Sequence, residues 1–283
     1  MMLVSSLVIF LSTSAMAGIF GLDSRLEAYL EAGPVVREWA RSTPALVRAE
    51  MLHRDRDGNY WPFPRALAPL GLCEDVRFFE QESLANCSAA LVGEDLILTA
   101  AHCIEEQGAD KCGGYHVVFD YALGRPVEMF SAEQVYHCKE VLYYRFDSMS
   151  DQEDLAVIRL NRRVKHRTPL RLAAEKPRLK DPVTLLGYPL GLPLKFVDDG
   201  EVTEERPLNL SFRHNLDTFS CNSGGPTLNE HGEIIGVLVR GTSANMQRRG
   251  PRQCYDWGVA SSKDFAESNT IDHLPRVIPD LGN

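Results

Sequence analysis

Residues 154–160 read DLAVIRL, an alternation of apolar and polar side chains that is typical of a β-strand. Similar short runs lie on both sides of it, separated by Gly, Pro and Asp turns. The runs are CSAALV, DLILT, YHVVFDY and EQVYHCKEV before it, and PVTLLGY, LNLSF, EIIGVLV and YDWGVA after it. Many short strands with few helical stretches predict an all-β barrel or sandwich. No internal repeat indicates a propeller or solenoid.

The composition is that of a globular protein. The chain has 283 residues, of which 44% are hydrophobic and 24% charged, and this excludes a disordered, collagen-like or coiled-coil chain. Its 30 basic and 39 acidic side chains give a net charge of −9, so the composition predicts no nucleic-acid partner. After the N-terminus, no apolar run reaches the roughly 18 residues that a membrane helix needs.

The first 17 residues, MMLVSSLVIFLSTSAMA, resemble a signal peptide. Their apolar centre runs over residues 7–11, and the small residues Ala15 and Ala17 precede Gly18 as they would at a cleavage site. The alternative is a buried N-terminal helix. Export predicts a secreted or periplasmic protein that does not associate with membranes after signal removal, and it allows disulfides to persist. We also expect a monomer.

Residues 18–71 form a leader, which we interpret as an N-terminal extension or a propeptide. Residues 22–51 show helical spacing at Leu22, Leu26 and Leu30 and are predicted to be partly helical. Residues 53–69 are predicted to form a loop. Asp55, Asp57 and Asn59 alternate there like calcium ligands, but Gly58 is in fourth place rather than the sixth of an EF-hand, which favours a solvated loop.

The rest of the chain divides into two β-rich segments. Residues 72–165 and 181–265 each hold enough strands for one barrel. The polar, Pro-containing residues 166–180 are predicted to link them, and residues 266–283 to form a C-terminal tail.

Three short motifs carry reactive side chains. In LTAAHC (98–103), His102 follows a strand between small residues, and Cys87 lies one hairpin length before Cys103, so a disulfide between them would hold the histidine from behind. Asp154 opens DLAVIRL, where it either satisfies local backbone groups or orients a histidine. In SCNSGGP (220–226), two glycines after Ser223 allow a tight turn that exposes the hydroxyl.

TAAHC, DLAVIRL and NSGGP, in that order, resemble the His, Asp and Ser motifs of trypsin/chymotrypsin-like serine proteases. The resemblance covers roughly residues 72–263, and CEDVR (73–77), GYP (187–189) and Asn222 are similar to the bacterial branch that includes glutamyl endopeptidases. It implies two six-stranded antiparallel barrels of the chymotrypsin type with the active site between them. It also implies protein or peptide substrates, no cofactor and no metal.

By this resemblance Ser223 is the nucleophile, His102 the general base and Asp154 the residue that orients the imidazole. The N–H groups of Cys221 and Ser223 would form the oxyanion hole. Family members usually carry Gly at the position of Cys221, so the hole is expected to be less well formed or to depend on a disulfide. Asn222 cannot form the ion pair that an Asp makes with a new N-terminus in animal trypsins.

The resemblance leaves the specificity open. Asp217 and Thr218 lie where trypsin-like enzymes carry the acid that binds Arg or Lys, yet the same pair occurs in the bacterial branch without basic specificity. Cleavage after Glu usually depends on a wall-strand histidine, and Leu238 stands at that position. His214 could substitute, although a surface location is the simpler interpretation. Arg240 could attract an acidic substrate side chain or point into water.

Seven cysteines leave at least one thiol unpaired within the chain, and none lies in a CxxC pair. In the two barrels that the resemblance implies, the expected disulfides are Cys87–Cys103, Cys112–Cys138 and Cys221–Cys254, and Cys73 is left unpaired.

Two other functions compete with an active endopeptidase. One is a protease-fold binding module whose chemistry is impaired by Cys221. The other is an α/β-hydrolase esterase, which is disfavoured because its motifs run Ser, Asp, His and its nucleophile lies between a strand and a helix.

Overall fold

The computed structural model describes residues 18–67, 70–105, 111–125, 128–146, 153–242, 246–250, 253–278 and 281. The predicted signal peptide, residues 1–17, lies outside them. Strands are numbered β1–β21 and helices α1–α3 in chain order over the described residues. In these ranges no helix is both long and apolar enough to span a membrane.

Six strands in the second half of the chain close into an antiparallel barrel. They are β14 (Pro182–Gly187), β15 (Lys195–Arg206), β16 (Ser211–His214), β17 (Pro226–Leu228), β18 (Ile234–Gly241) and β21 (Ala266–Thr270). Their order is β15, β14, β17, β18, β21, β16, and β16 pairs again with β15. Because β21 fills the gap between β18 and β16, the barrel continues past residue 265 into the predicted tail.

Two four-stranded sheets form the first barrel. Their strands are β2 (Ala45–Arg48), β7 (Cys87–Ser88), β8 (Ala90–Leu91), β9 (Leu96–Thr99), β10 (Tyr115–Val118), β11 (Val135–Tyr136), β12 (Cys138–Phe146) and β13 (Asp154–Leu160). One sheet has the order β11, β10, β2, β7 and the other β12, β13, β9, β8. Buried Ile97, Phe119 and Ile158 pack in the same core cluster of this barrel. The predicted all-β, two-barrel fold is confirmed, although here two sheets replace the expected single ring of six strands.

The segment 18–71 is part of the folded body, which corrects the boundary predicted at residue 72. Strand β2 lies between β10 and β7 in the first barrel, and β1 (Leu26–Glu27) pairs with β15 of the second. Its helix is only α1 (Pro34–Arg41), which begins at a proline suited to a first helical position. The helical spacing predicted from residue 22 is wrong because Leu22 and Leu30 are 88% and 56% exposed and mark no buried face.

The remaining elements are short. They are the hairpin β3 (Leu52–Arg54) and β4 (Tyr60–Pro62), the pair β5 (Arg65–Ala66) and β6 (Glu82–Ser83), the pair β19 (Gln247–Arg249) and β20 (Cys254–Asp256), and the helices α2 (His102–Glu105) and α3 (Leu274–Val277). Asp55 closes the β3–β4 turn by accepting the backbone N–H groups of Asp57 and Asn59. The alternating acids of this loop therefore serve a turn.

Hydrogen bonds join the two barrels at several points. The Tyr188 N–H donates to Ser88 Oγ at 3.0 Å, and the Tyr188 hydroxyl donates to the Thr43 carbonyl at 2.8 Å. The predicted linker, 166–180, contacts both barrels through the N–H of Leu170, which donates to Leu91, and that of Ala173, which donates to Ile234. These contacts fix the cleft in which the candidate site lies.

Candidate active site

His102 and Asp154 are hydrogen-bonded at the entrance to the cleft. Strand β9 ends at Thr99, the fully buried Ala100 and Ala101 follow, and α2 begins at His102. Asp154 is the first residue of β13, which pairs with β9, so the topology brings the two side chains together. Asp154 Oδ2 lies 2.6 Å from His102 Nδ1, and its Oδ1 accepts the His102 backbone N–H at 2.9 Å. Both carboxylate oxygens of Asp154 therefore contact the same residue, His102.

The second barrel also positions Asp154. The Asp154 N–H donates to Asn269 Oδ1 at 2.8 Å, and Asn269 lies on the buried strand β21. The side chain of Asp154 is only 8% exposed, whereas that of His102 is 31% exposed. Sequence reasoning missed Asn269 because no motif marks it and it follows Asp154 by more than a hundred residues.

Ser223 lies in a turn that requires the two glycines after it. Gly224 has φ +85°, and a Cβ there would overlap the Ser88 carbonyl oxygen and Thr99 Oγ1. A Cβ at Gly225 would overlap the carbonyl oxygen of Leu186. The Gly224 N–H donates to the Leu238 carbonyl at 2.8 Å, which ties the turn to β18. Close approach of the two barrels thus explains Gly224, and close packing against β14 within the second barrel explains Gly225.

A disulfide and a hydrogen bond link the Ser223 turn to the His102 turn. The N–H of Ser88 donates to the Ser223 carbonyl at 2.7 Å, and Ser88 follows Cys87, whose disulfide partner Cys103 follows His102. Cys103 Sγ packs 3.6 Å from that same carbonyl oxygen, without donating, since its sulfur is bonded to Cys87. In the described chain no hydrogen bond joins Ser223 directly to His102, and this contact is often loose before substrate binds.

The backbone around Ser223 presents unpaired N–H groups. Among the described residues, neither the N–H of Cys221 nor that of Ser223 donates to a backbone acceptor. Cys221 has φ +70°, in the left-handed region that favours glycine, and its carbonyl accepts the Ser88 hydroxyl at 2.9 Å. Cys221 therefore adopts a glycine-like backbone in spite of its Cβ. Burial raises the pKa of its thiol to about 11.

The disulfides agree with two of the expected pairs and correct the third. Cys87 is joined to Cys103 and Cys112 to Cys138, whereas Cys254 is joined to Cys73. Cys221 is a free thiol, so the expected Cys221–Cys254 bridge is wrong. The reason is topological: residue 73 lies against β20, where its N–H donates to the Tyr255 carbonyl next to Cys254.

Within the residues that the structure describes, three potential metal ligands lie together beside the site. The sulfurs of Cys87 and Cys103 and a ring nitrogen of His102 lie within 4.8 Å of one another. Because the two sulfurs are bonded to each other, they cannot bind a metal as thiolates.

Asp217 binds the N-terminal segment rather than facing an open pocket. Its Oδ1 accepts the Phe20 N–H at 2.6 Å, and its Oδ2 accepts the Ser24 N–H at 2.8 Å and the Ser24 hydroxyl at 3.1 Å. Burial raises the pKa of this carboxyl, against the effect of these donors. Of the two interpretations that the sequence left open for Asp217, these contacts favour the one without basic specificity.

The N-terminal segment also brings a buried cation to the second barrel. Arg25 is 1% exposed, pairs with Asp23 at 2.7 Å and lies 4.2 Å from the centre of the Phe219 ring. Phe219 is two residues before Cys221. Asn222 is itself buried, and its Oδ1 has no hydrogen-bond partner in the part of the chain that the structure describes. Sequence analysis gave no signal for Asp23 or Arg25, because ion pairs formed by packing have no local pattern.

The other predicted pocket residues are buried or paired. Leu238 is 3% exposed on β18, and Thr218 is 1% exposed with an Oγ1 that lacks a hydrogen-bond partner among the described residues. Arg240 Nε donates to Glu267 Oε1 at 3.2 Å, and Arg206 and Arg213 contact the same carboxylate. His214 is fully buried on β16 beside Ser268, not on the surface, and burial lowers its pKa to about 3.

A two-barrel fold with a His–Asp pair and a Ser-Gly-Gly turn at the cleft defines the architecture of chymotrypsin-type peptidases. A family profile described as "Trypsin-like peptidase domain" matches residues 87–237. The chain therefore belongs to the trypsin-like peptidase family.

Individual relatives agree with this assignment. The chain is 32% identical over 173 residues to "Protease Do-like 2, chloroplastic" from Arabidopsis thaliana, a match that covers 57% of this chain and 24% of that protein. The matched region thus spans about a quarter of the relative's length. Among solved structures, a "Glu endopeptidase in complex with MPD" has a TM-score of 0.57 at 16% identity, over 92% of this chain and 97% of that one. Neuropsin from mouse brain has a TM-score of 0.56 at 17% identity, over 88% and 96%. Both show similarity of fold.

Proposed function

We propose that the protein is an exported serine endopeptidase that hydrolyses peptide bonds through an acyl-enzyme on Ser223. The observation that carries the proposal is the contact of 2.6 Å between His102 Nδ1 and Asp154 Oδ2 in a chain of the trypsin-like peptidase family. Because this contact occupies Nδ1, it leaves Nε2 of the imidazole for the nucleophile.

Each residue has one role in this mechanism. Ser223 Oγ attacks the peptide carbonyl, and His102 takes its proton and returns it to the leaving amine. Asp154 holds the ring in one tautomer and compensates the positive charge that forms on it. Water then repeats the attack on the acyl-enzyme, with His102 again as the base.

The N–H groups of Cys221 and Ser223 form the proposed oxyanion hole. Support comes from their lack of backbone acceptors among the described residues and from the glycine-like φ of Cys221. Each such donor is typically worth about 2.7–4 kcal/mol in the transition state. This arrangement favours the active enzyme over the binding module that Cys221 suggested.

We infer that neither Asp217 nor Arg240 selects the P1 side chain of the substrate by its charge. Asp217 accepts the N–H groups of residues 20 and 24, and the Arg240 guanidinium is held against Glu267, which Arg206 and Arg213 also contact. The side chains of Leu238 and Thr218 leave an uncharged wall. We therefore propose cleavage without a strong preference for basic or acidic P1 residues.

Residues 18–71 are proposed to remain in the mature enzyme. Support comes from β2, which is an inner strand of the first barrel, and from the contacts of residues 20–25 with the second. The three disulfides support an oxidising location, either secreted or periplasmic.

Hydrolysis of casein by the full chain tests the proposal. Ser223→Ala should lower the rate of casein hydrolysis at least about a thousandfold. Ser261→Ala, at an exposed turn, is the matched control and should leave the rate unchanged. A Ser223→Ala protein that cleaves casein at the original rate would refute the assignment.

A further inference from the structure

A basic cleft lies at the far end of the first barrel from the candidate active site. It has a volume of about 950 Å³ and is lined by residues of α1, β3, β4, β11 and the turn after β13. Six of its lining side chains are Arg or Lys and two are Asp or Glu, in a protein whose net charge is −9. The cationic residues are Arg41, Arg54, Arg162, Arg163, Lys165 and Arg167, and the acids are Asp120 and Glu133.

Part of this charge is compensated within the protein. Arg167 pairs with Asp120 at 2.6 Å, and the exposed Arg163 pairs with Glu94 at 2.9 Å. Arg41 lies 3.7 Å from Glu38.

The remaining cations have no carboxylate partner among the described residues. Arg162 donates to the Ala132 and Val135 carbonyls and lies 3.9 Å from the centre of the Tyr136 ring, so neutral groups hold its guanidinium in place. Arg54 contacts the ring of Tyr60, and Lys165 is exposed. These three cations outnumber Glu133, the lining acid for which the described residues offer no cation, so the net charge presented at the cleft is positive.

His137 lines the cleft wall close to two of these arginines. His137 contacts the Tyr60 hydroxyl through Nε2 at 3.1 Å and His116 through Nδ1 at 3.0 Å. Burial lowers the pKa of His137, and the positive charges of Arg162 and Arg54 lower it further. Burial also lowers the pKa of His116, to about 4.

We propose that this cleft is a second substrate-binding site, which recruits an acidic segment of a polypeptide whose scissile bond lies at Ser223. The proposal rests on the proposed peptidase function for its choice of a polypeptide partner. Arginine guanidinium groups match carboxylates in a bidentate geometry. Because the protein as a whole is acidic, an acidic segment is attracted only where the local field is positive.

The spacing of the two sites fits one extended chain. Strand β13 runs from Asp154 at the active-site end to Leu160, and the cleft begins at Asn161. Seven strand residues span about 23 Å, so about seven extended substrate residues would connect the sites.

Binding of a fluorescein-labelled decaglutamate peptide tests the proposal on the full-length Ser223→Ala protein. We expect saturable binding that weakens from low to physiological ionic strength. The double variant Arg54→Gln/Lys165→Gln should weaken it at least about tenfold. The matched control is Arg171→Gln/Lys180→Gln, which removes two exposed cations of the second half of the chain and should change binding less than about twofold. Equal weakening by both pairs, or none by the first, would overturn the proposal.

Two further arms complete the test. Heparin binding that depends on Arg54 and Lys165, without decaglutamate binding, would assign the cleft to a polysaccharide and refute an acidic peptide. In the active protein, the double variant should raise KM for a peptide with an acidic tail about tenfold and leave a tail-less peptide unchanged. The decaglutamate experiment measures binding without turnover. Absence of proteolysis would therefore contradict the peptidase proposal, and the binding result would still test the cleft.

Discussion

Asp154 contacts His102 through both carboxylate oxygens, one at the ring Nδ1 and one at the backbone N–H. The first contact fixes the tautomer of the His102 ring. The second holds the carboxylate in place at the first residue of α2. A third bond, from the Asp154 N–H to Asn269, ties the pair to the other barrel. The orientation of the imidazole thus depends on the packing of the two barrels.

Replacement of Asp154 by Asn should lower kcat by about 10⁴-fold, since an amide does not select the tautomer that accepts the serine proton. Steady-state hydrolysis of a peptide substrate measures this loss, and circular dichroism checks the fold. Asp57→Asn, at the exposed β3–β4 turn, is the control and should keep the original kcat. A loss below tenfold in Asp154→Asn would contradict the assigned role.

Cys221→Gly should stabilise the protein by about 1 kcal/mol, because it removes a Cβ from a residue at φ +70°. Cys221→Ser keeps the Cβ and loses the thiol, so it should give no such gain. Urea denaturation of both variants measures the difference. Equal stability of the two variants would show that the backbone at this position is not strained.

The Cys221 thiol should react slowly with iodoacetamide. Its pKa of about 11 leaves about one thiol in a thousand ionised at pH 8, and the thiolate is the reactive form. Mass spectrometry of the folded protein over time measures the rate, with the urea-unfolded protein as reference. Cys221 is partly exposed, so alkylation as fast in the folded as in the unfolded protein would contradict the raised pKa of its thiol.

Asp217→Asn should leave the ratio of kcat/KM for Arg and Glu at P1 within about threefold, because the carboxylate binds Phe20 and Ser24 instead of substrate. It should instead lower the free energy of unfolding by about 1–3 kcal/mol, as buried N–H groups lose an acceptor. Chromogenic peptides and urea denaturation measure the two effects. A hundredfold fall in kcat/KM for Arg at P1, without a similar fall for Glu, would show that Asp217 binds the P1 side chain.

His214 should make the protein less stable as the pH falls below about 6.5. Burial lowers its folded-state pKa to about 3 from an ordinary 6.5, so between these values the unfolded chain binds the proton and the folded chain does not. The free energy of unfolding therefore falls with decreasing pH, with a limiting slope of about 1.4 kcal/mol per pH unit from this group.

Urea denaturation of His214→Gln between pH 7 and pH 4 should show a shallower slope, whereas His231→Gln, at an exposed turn, should keep the original one. NMR provides an independent measurement: the His214 ring should show no titration down to pH 5. A midpoint near 6.5 would contradict its burial in neutral form.

The sequence predicted what depends on local pattern. Alternating short runs predicted β-strands, and the two glycines after Ser223 predicted a tight turn, in which Gly224 has a positive φ. The pairing of Cys87 with Cys103 followed from a hairpin length. These features are set by residues close together in the chain.

What the sequence did not predict depends on contacts between distant residues. The helical spacing from Leu22 gave no warning that residues 45–48 form a barrel strand, because a four-residue strand buried on both sides has no distinctive period. The pairing of Cys73 with Cys254 spans 181 residues, and nothing local selects it. Nothing in the sequence around Asp217 indicates that its hydrogen-bond donors come from residues 20 and 24, at the other end of the chain.

The central claim is that Ser223 is a nucleophile activated by His102. Labelling of the full-length protein with an organophosphonate probe, followed by peptide mass spectrometry, tests it most directly. We predict a single phosphonate adduct on Ser223 and, in His102→Ala, a labelling rate lower by at least about a hundredfold. An unmodified Ser223, or equal labelling in His102→Ala, would contradict the claim.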